Sequence, residues 1–470
     1  MHPLELTSDA LKQALDLTAR FVREEIDSLE SQPAADVEDA EELASSFVEA
    51  LPRNPRPLED ILARLRPAIR KTFNTAGPGY LAFIPGGGIM SAALADLIAT
   101  STNRYVGVRP PSPALVQIED TAIAWLAKIM GYPKSAGGIL TSGGSLSTLS
   151  AIVAARENKL EDDFTKGTIY MSEETHYCVP KAARIAGFRD WQVRRVPVDR
   201  RHRMDTKELA HAVEADRVKG YKPFFIVASV GTTNTGAIDD LPRLISVGRN
   251  YGMWVHADAA YGGFFRLAGV GPSLMPEIEE CDSITLDPHK GMFLPYGTGC
   301  LLVRNPETLK KAHAMDAEYL HDVRAQDAFN FSDLSPELSR DFRGLRLWLP
   351  LMLHGIDAFS DALEEKLMLT RWAYERLKAD GRFEILDEPQ LSVIAFRLKG
   401  EGPATDDATE EMHLRVNARG RVFLSSTRLD GRYIIRLCVL SFRTHMDRVR
   451  DAVEAIQSEA SRVLGSSPSR

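Results

Sequence analysis

The chain has 470 residues, 44% hydrophobic and 26% charged, with a net charge of −8. This is the composition of a globular protein with a large core, and the acidic balance argues against general binding to nucleic acid or to an anionic membrane. Four cysteines without a close pair, and eleven histidines without an H-E-x-x-H or H-x-H pattern, argue against disulfides and a metal site and for a reducing cytoplasm. No charge-free apolar window reaches about 18 residues, so no membrane span is expected. The start "MHPLELTSDALKQALD" lacks the basic and apolar regions of a signal peptide.

In chain order, Leu11, Leu15, Val22, Ile26 and Leu29 recur at helical spacing over 8–29. An acidic linker (31–42), a second helix, the Pro-rich "LPRNPRPLED" and a helix over 58–73 follow. These few amphipathic helices have little of their own to bury against, which predicts a partner surface. From 75 to 305 short β-rich runs alternate with helical stretches. The strands are "GTIYMS" (167–172), "PFFIVASV" (223–230), "MWVHA" (253–257), "SITL" (283–286) and "GCLLVR" (299–304). Helices are expected over 145–160, 178–188 and 241–252. Such alternation predicts an α/β fold, with a mostly parallel sheet covered on both faces. Helices over 306–380 lead to a tail with "RFEIL", "LSVIAFRL", "YIIRLCVL" and a helix over 446–464, a small α+β unit. The expected division is 1–74, 75–355 and 356–470.

Five motifs fall at strand ends, where ligands bind in open α/β sheets. "LTSGGSLSTLSAIVAAR" (140–156) is strand, turn and helix. Gly143 and Gly144 let backbone N–H groups approach an anion, and Ser145 adds a hydroxyl at the helix N-terminus; the other reading is an ordinary N-cap. It is neither a Walker loop nor G-x-G-x-x-G. "WVHADAAYGG" ends a strand in Asp258, which needs a cationic or N–H partner or else caps the next turn. "ASVGTTNTG" offers Thr233 to a ligand or to turn hydrogen bonds, and "MSEETHYC" places His176 just beyond a strand. "SITLDPHKGMF" sets Lys290 after a core strand. An anion cradle, an acid, a planar histidine and a lysine amine on one crevice suit a phosphorylated pyridine aldehyde. Its phosphate takes the cradle, Asp258 pairs with the ring N–H, His176 stacks on the ring, and Lys290 forms the imine. Burial beside cationic neighbours is expected to lower the Lys290 pKa.

"TSGGSLST", "HADAAYGG", "DPHK" and "RLCVLSFRTH" occur in the order and at the spacing of the group II pyridoxal-phosphate decarboxylases, which the chain resembles from "GPGYLAFIPGGG" (77–88) to its last helix. That family includes aromatic-L-amino-acid, glutamate, cysteine sulfinate and histidine decarboxylases. The resemblance implies fold type I with a seven-stranded-type sheet, pyridoxal 5'-phosphate, an L-amino-acid substrate, and a homodimer with the active site at its interface. It implies catalytic roles for Lys290, Asp258 and His176. It adds Gly143, Gly144, Ser145, Thr233 and His289 around the cofactor, and Tyr80, Phe83 and Pro85 in the substrate pocket.

Three departures stand out. Asp287 replaces an Asn on the phosphate side, where a second anion is unfavourable unless protonated or turned toward Arg or backbone donors. The segment 321–345 has no Tyr to protonate the carbanion; Phe331, or Phe329, stands in its place. In some plant relatives a Phe there accompanies aldehyde formation, and His176 or water is the other proton source. Ile84, Val108 and Arg109 make the pocket segments less aromatic. Arg109 either reads a second acidic group or pairs with a local acid. The expected reaction is therefore decarboxylation of an L-amino acid, with an aromatic side chain favoured. An aldehyde synthase, a carbon–carbon lyase and an acidic or sulfinic amino-acid decarboxylase are the alternatives, and a cofactor-free relative kept for its dimer surface is a further one.

Overall fold

The computed structural model describes residue 2 and residues 4–160, 163–315 and 329–465. Its larger sheet has seven strands: β2 (Gly137–Thr141), β3 (Gly167–Ser172), β4 (Val193–Val196), β5 (Lys222–Ser229), β6 (Trp254–Asp258), β7 (Ser283–Leu286) and β8 (Gly299–Val303). They lie in the order β2-β8-β7-β6-β5-β3-β4. β4, β3, β5, β6 and β7 are parallel, while β8 runs antiparallel to both β7 and β2. Every residue of β3, β7 and β8 is buried, which explains their unbroken apolar runs: both faces of the sheet are covered.

The crossover helices carry clear end signals. Asp205 caps Thr206–Val218 by accepting from the N–H groups of Lys207 and Glu208. Asp240 caps Leu241–Tyr251, and Gly252 ends that helix in the left-handed region at φ 66°. Gly252 turns the chain into β6, which begins at Trp254.

The second sheet has the order β1-β11-β12-β10-β9. β1 (Tyr80–Leu81) comes from far upstream and pairs parallel to β11 (Phe423–Leu429); β12 (Arg432–Cys438), β10 (Val393–Leu398) and β9 (Phe383–Ile385) continue antiparallel. Helices Pro403–Ala418 and Met446–Gly465 pack with it around a core that includes Phe396, Ile435 and Leu437. A long helical segment, Arg343–Ala379, links the two sheets and is kinked at Gly355, whose φ of 72° and ψ of 161° break the helix.

At the N-terminus, Ser8–Ser28 is capped by Thr7 and packs on Leu58–Arg70, with Glu25 paired to Arg66 and Arg70. Leu11 is 48% exposed and Ile69 47%. Among the described residues no helix is long and apolar enough to cross a membrane.

Candidate active site

The carboxyl ends of β3, β5, β6 and β7 open onto a crevice of about 380 Å³, within the range of small-ligand sites. It is lined by Gly143, Gly144, Ser145, His176, Thr233, Asp258, His289 and Lys290, all of them expected from sequence. Cys178, Asp287 and Tyr296 line it too.

The cradle forms where β2 turns into helix Gly144–Lys159. Gly143 is the N-cap, at φ 152° and with no side-chain cap bond, so Ser145 does not cap its own helix. A side chain on Gly143 would meet His289, and one on Gly144 would come within 3.2 Å of Asp287 Oδ2. Thr141 Oγ1 braces the turn by hydrogen bonds to Gly143 and Ser147. The uncapped first N–H groups of a 16-residue helix thus remain for an anion.

Lys290 sits in a one-turn helix, Pro288–Gly291, rather than on the strand; Pro288, which has no N–H to lose, starts it. Its Nζ lies 3.1 Å from Asp287 Oδ2. Burial pushes the amine down, but the carboxylates of Asp287 and Asp258 outweigh burial and hold it above the ordinary lysine value. The expected lowering is therefore corrected: the charges around the amine are anionic, not cationic. Asp287 is buried and meets no arginine ion pair among the described residues; Oδ1 has no hydrogen-bond partner.

Asp258 ends β6 and accepts one weak bond, from Ala260 N at 3.3 Å, so the capping reading accounts for only part of its hydrogen-bonding capacity. Beneath it runs a buried polar chain. Trp254 Nε1 donates to Ser283 Oγ at 2.7 Å, Ser283 meets His256 Nδ1 at 2.7 Å, and His256 Nε2 meets Thr285 Oγ1 at 3.2 Å. An indole can only donate, so Ser283 Oγ accepts from Trp254, and the roles in the Ser283–His256–Thr285 part of the chain follow the His256 tautomer. Burial drops the His256 pKa to about 4, which keeps it neutral beside Asp258. Thr285 is the register partner of Asp258.

His176 Nδ1 accepts from Cys178 N at 3.3 Å. Burial, reinforced by Lys290, lowers its pKa although Asp258 opposes, so the ring is neutral with Nε2–H as its donor. His289 donates from Nδ1 to the Thr298 carbonyl at 2.6 Å. Burial pushes the Cys178 thiol up to about 12, so it is not a nucleophile. Thr232 makes the turn hydrogen bonds with Thr235 and Ala237, which leaves Thr233 on the crevice.

Arg436 was not singled out from sequence, although an arginine inside the apolar run "YIIRLCVL" is itself a signal for buried partners. It is 2% exposed. It donates to Ser425 Oγ at 2.9 Å, to the Asn234 carbonyl at 3.1 Å, and to the carbonyls of Thr233 and Phe83. One guanidinium thereby ties the second sheet to the crevice loop and to the segment after β1.

The expected substrate-pocket residues do not line this crevice within one chain. Tyr80 is buried in β1, stacked on Phe423. Phe83, at φ 52°, is 52% exposed, and Pro85 is buried nearby. Arg109 donates to Gln117 and makes no ion pair with an acid among the described residues. Phe331 is fully buried, with Arg340 over its ring at 4.8 Å, because the Arg340–Glu119 ion pair pulls this segment into the core. Most of the loop expected before it lies outside the described residues.

The donor set fits pyridoxal phosphate: an anion cradle that only glycine leaves open, a half-buried carboxylate at the end of β6, a flat neutral imidazole and a lysine amine. Together with the sheet order they define a fold type I pyridoxal-phosphate enzyme. A family model, the pyridoxal-dependent decarboxylase conserved domain, matches residues 41–399, and the chain belongs to that family. It is 32% identical to an aromatic-L-amino-acid decarboxylase of Bacillus atrophaeus, over 99% of this chain and 98% of the relative. The crystal structure of Oryza sativa TDC with PLP and tryptamine superposes with a TM-score of 0.92 at 26% identity, covering 98% of this chain and 99% of that one. Rhodiola rosea 4-hydroxyphenylacetaldehyde synthase shares the fold, with a TM-score of 0.90 at 23% identity over 98% of this chain and 99% of that one.

Proposed function

We propose that this pyridoxal-phosphate decarboxylase acts on an aromatic L-amino acid and releases the amine and CO2, using Lys290, Asp258 and His176. The observation that carries this reading is the convergence of Lys290, Asp258 and the Gly143–Ser145 cradle on one crevice. When bound, the cofactor supplies the electron sink for the pair left as CO2 departs. Gly143, Gly144 and Ser145 would hold its phosphate, with His289 beside them, and Thr233 would lie near the ring. Lys290 provides the amine that anchors the aldehyde. Asp258 holds negative charge for the ring nitrogen, and the neutral His256 below it offers no competing cation. His176 supplies a flat face for the ring and, neutral at rest, would relay to Cα a proton taken up from solvent. The aromatic preference is supported by the Bacillus atrophaeus relative and by the Oryza sativa structure with its amine product.

One observation favours a second outcome, aldehyde formation: residues 329–345 contain no Tyr, and the Phe331 ring offers no phenol. A panel of aromatic, acidic and sulfinic L-amino acids, scored for CO2, amine, ammonia and peroxide, decides between them. Amine equimolar with CO2 is expected. Ammonia and peroxide would establish the aldehyde route, and product without CO2 would overturn decarboxylation.

The same reading includes a homodimer, supported by Leu11, Leu15, Ile61, Leu65 and Ile69, all at least 39% exposed on the N-terminal helices. In a dimer the exposed Phe83 and the half-buried Arg109 would meet the partner's crevice, while Tyr80, Pro85 and Phe331 are buried in their own chain. The division at 355 is supported by the kink at Gly355. A cytoplasmic setting is supported by four free, buried cysteines.

A further inference from the structure

Asp287 has no task in the reaction described above, yet it sits between the two halves of the crevice. It is 3% exposed. Its Oδ2 is 3.1 Å from Lys290 Nζ and 3.6 Å from His289 Nε2, and its Oδ1 is buried without a partner. The contact that a Cβ on Gly144 would make, 3.2 Å from Oδ2, places the carboxylate directly against the cradle. The titratable groups that act on this corner from other elements are His176, Cys178, Asp258 and Cys300. None of these four supplies a cation: His176 is held neutral, and burial pushes both thiols up. Among the described residues Lys290 is the only lysine or arginine that ion-pairs with Asp287.

A phosphorylated aldehyde disturbs this arrangement: its phosphate sets a second anion against Asp287, while a protonated imine on Lys290 keeps the positive charge beside the carboxylate. Like charges confined to one site drive one of them to bind a proton. We infer that Asp287 is the proton-accepting half of the phosphate site: it takes one proton from solvent as the phosphate enters, and as a neutral carboxyl donates its O–H to a phosphate oxygen. One O–H bond forms on Asp287, one proton leaves solvent, and nothing is oxidised or reduced. The oxygen that lacks a partner here then has one. The inference rests on the pyridoxal-phosphate reading of the crevice.

The test compares cofactor-free wild type with Asp287→Asn, whose amide donates without taking up a proton. Each is titrated with pyridoxal phosphate and with phosphate-free pyridoxal between about pH 6.5 and 8.5, following the absorbance of the lysine-bound aldehyde. The ratio of wild-type to variant Kd for pyridoxal phosphate should rise about tenfold per pH unit, and the ratio for pyridoxal should stay flat. A ratio independent of pH for both aldehydes overturns the role of Asp287 and leaves the cofactor reading intact. Absence of lysine-linked absorbance in the wild type with either aldehyde overturns the cofactor reading itself. Should Asp287→Asn fail to fold, difference infrared spectra of the wild type carry the test. A carboxylic-acid C=O band should appear with pyridoxal phosphate and not with pyridoxal; its absence with pyridoxal phosphate overturns the inference.

Discussion

Within a single chain the strand-end crevice and the N-terminal helices differ in how far they are finished. Around the crevice, Lys290, His289 and Thr233 are each held by a bond to another group of the same chain. On the helices, Leu11 is 48% exposed, Ile61 40% and Ile69 47%, with nothing among the described residues to cover them. The crevice groups are thus positioned from within the chain, whereas the apolar face of the N-terminal helices is left open among the described residues.

Substitutions can break or sharpen that contrast. Lys290→Ala should lower turnover by about ten-thousandfold or more in a single-turnover CO2 assay, with no change in oligomeric state by sedimentation. Asp258→Asn keeps the shape and removes the charge; kcat should fall by about a thousandfold. The third expectation concerns acid stability. With its folded pKa at about 4 against an ordinary 6.5, His256 takes up a proton in the unfolded chain before it does so in the folded one. Stability should therefore fall as pH falls from about 6.5 to 4, by about 3 kcal/mol at the lower end. His256→Gln should flatten that part of the profile in urea titrations. Arg436→Met leaves carbonyls of Thr233 and Asn234 without their donor and should cost about 2 kcal/mol, read as a lower urea midpoint. Smallest, and on the other side of the contrast, Leu11→Glu with Leu65→Glu should weaken self-association at least about tenfold by sedimentation, while cofactor absorbance at high protein concentration stays unchanged.

The crevice was legible in sequence because parallel strands covered on both faces read as unbroken apolar runs, and each run ended in a chemically odd residue. Asp258 after "WVHA" and Lys290 after "SITL" are of that kind. Strands without such runs were missed. β4, "VRRV", lies at the sheet edge and carries two arginines; β11, "FLSSTRL", alternates polar residues toward the exposed face. Arg436 was missed because three of its four partners are backbone carbonyls, which leave no mark in a sequence. The sign of the charge around Lys290 was misjudged for a related reason: Asp287 is visible as a residue, but its contact with Nζ is a fact of the turn. The substrate-side residues were named from the family resemblance alone, and one chain does not bring them to the crevice.

The place of β8 has a consequence for synthesis. β2, the strand that delivers the cradle, touches the rest of its sheet only through β8, which pairs Thr141 with Gly299 and Gly137 with Val303. The cradle strand therefore gains its sheet partner only once the chain has been made past Val303.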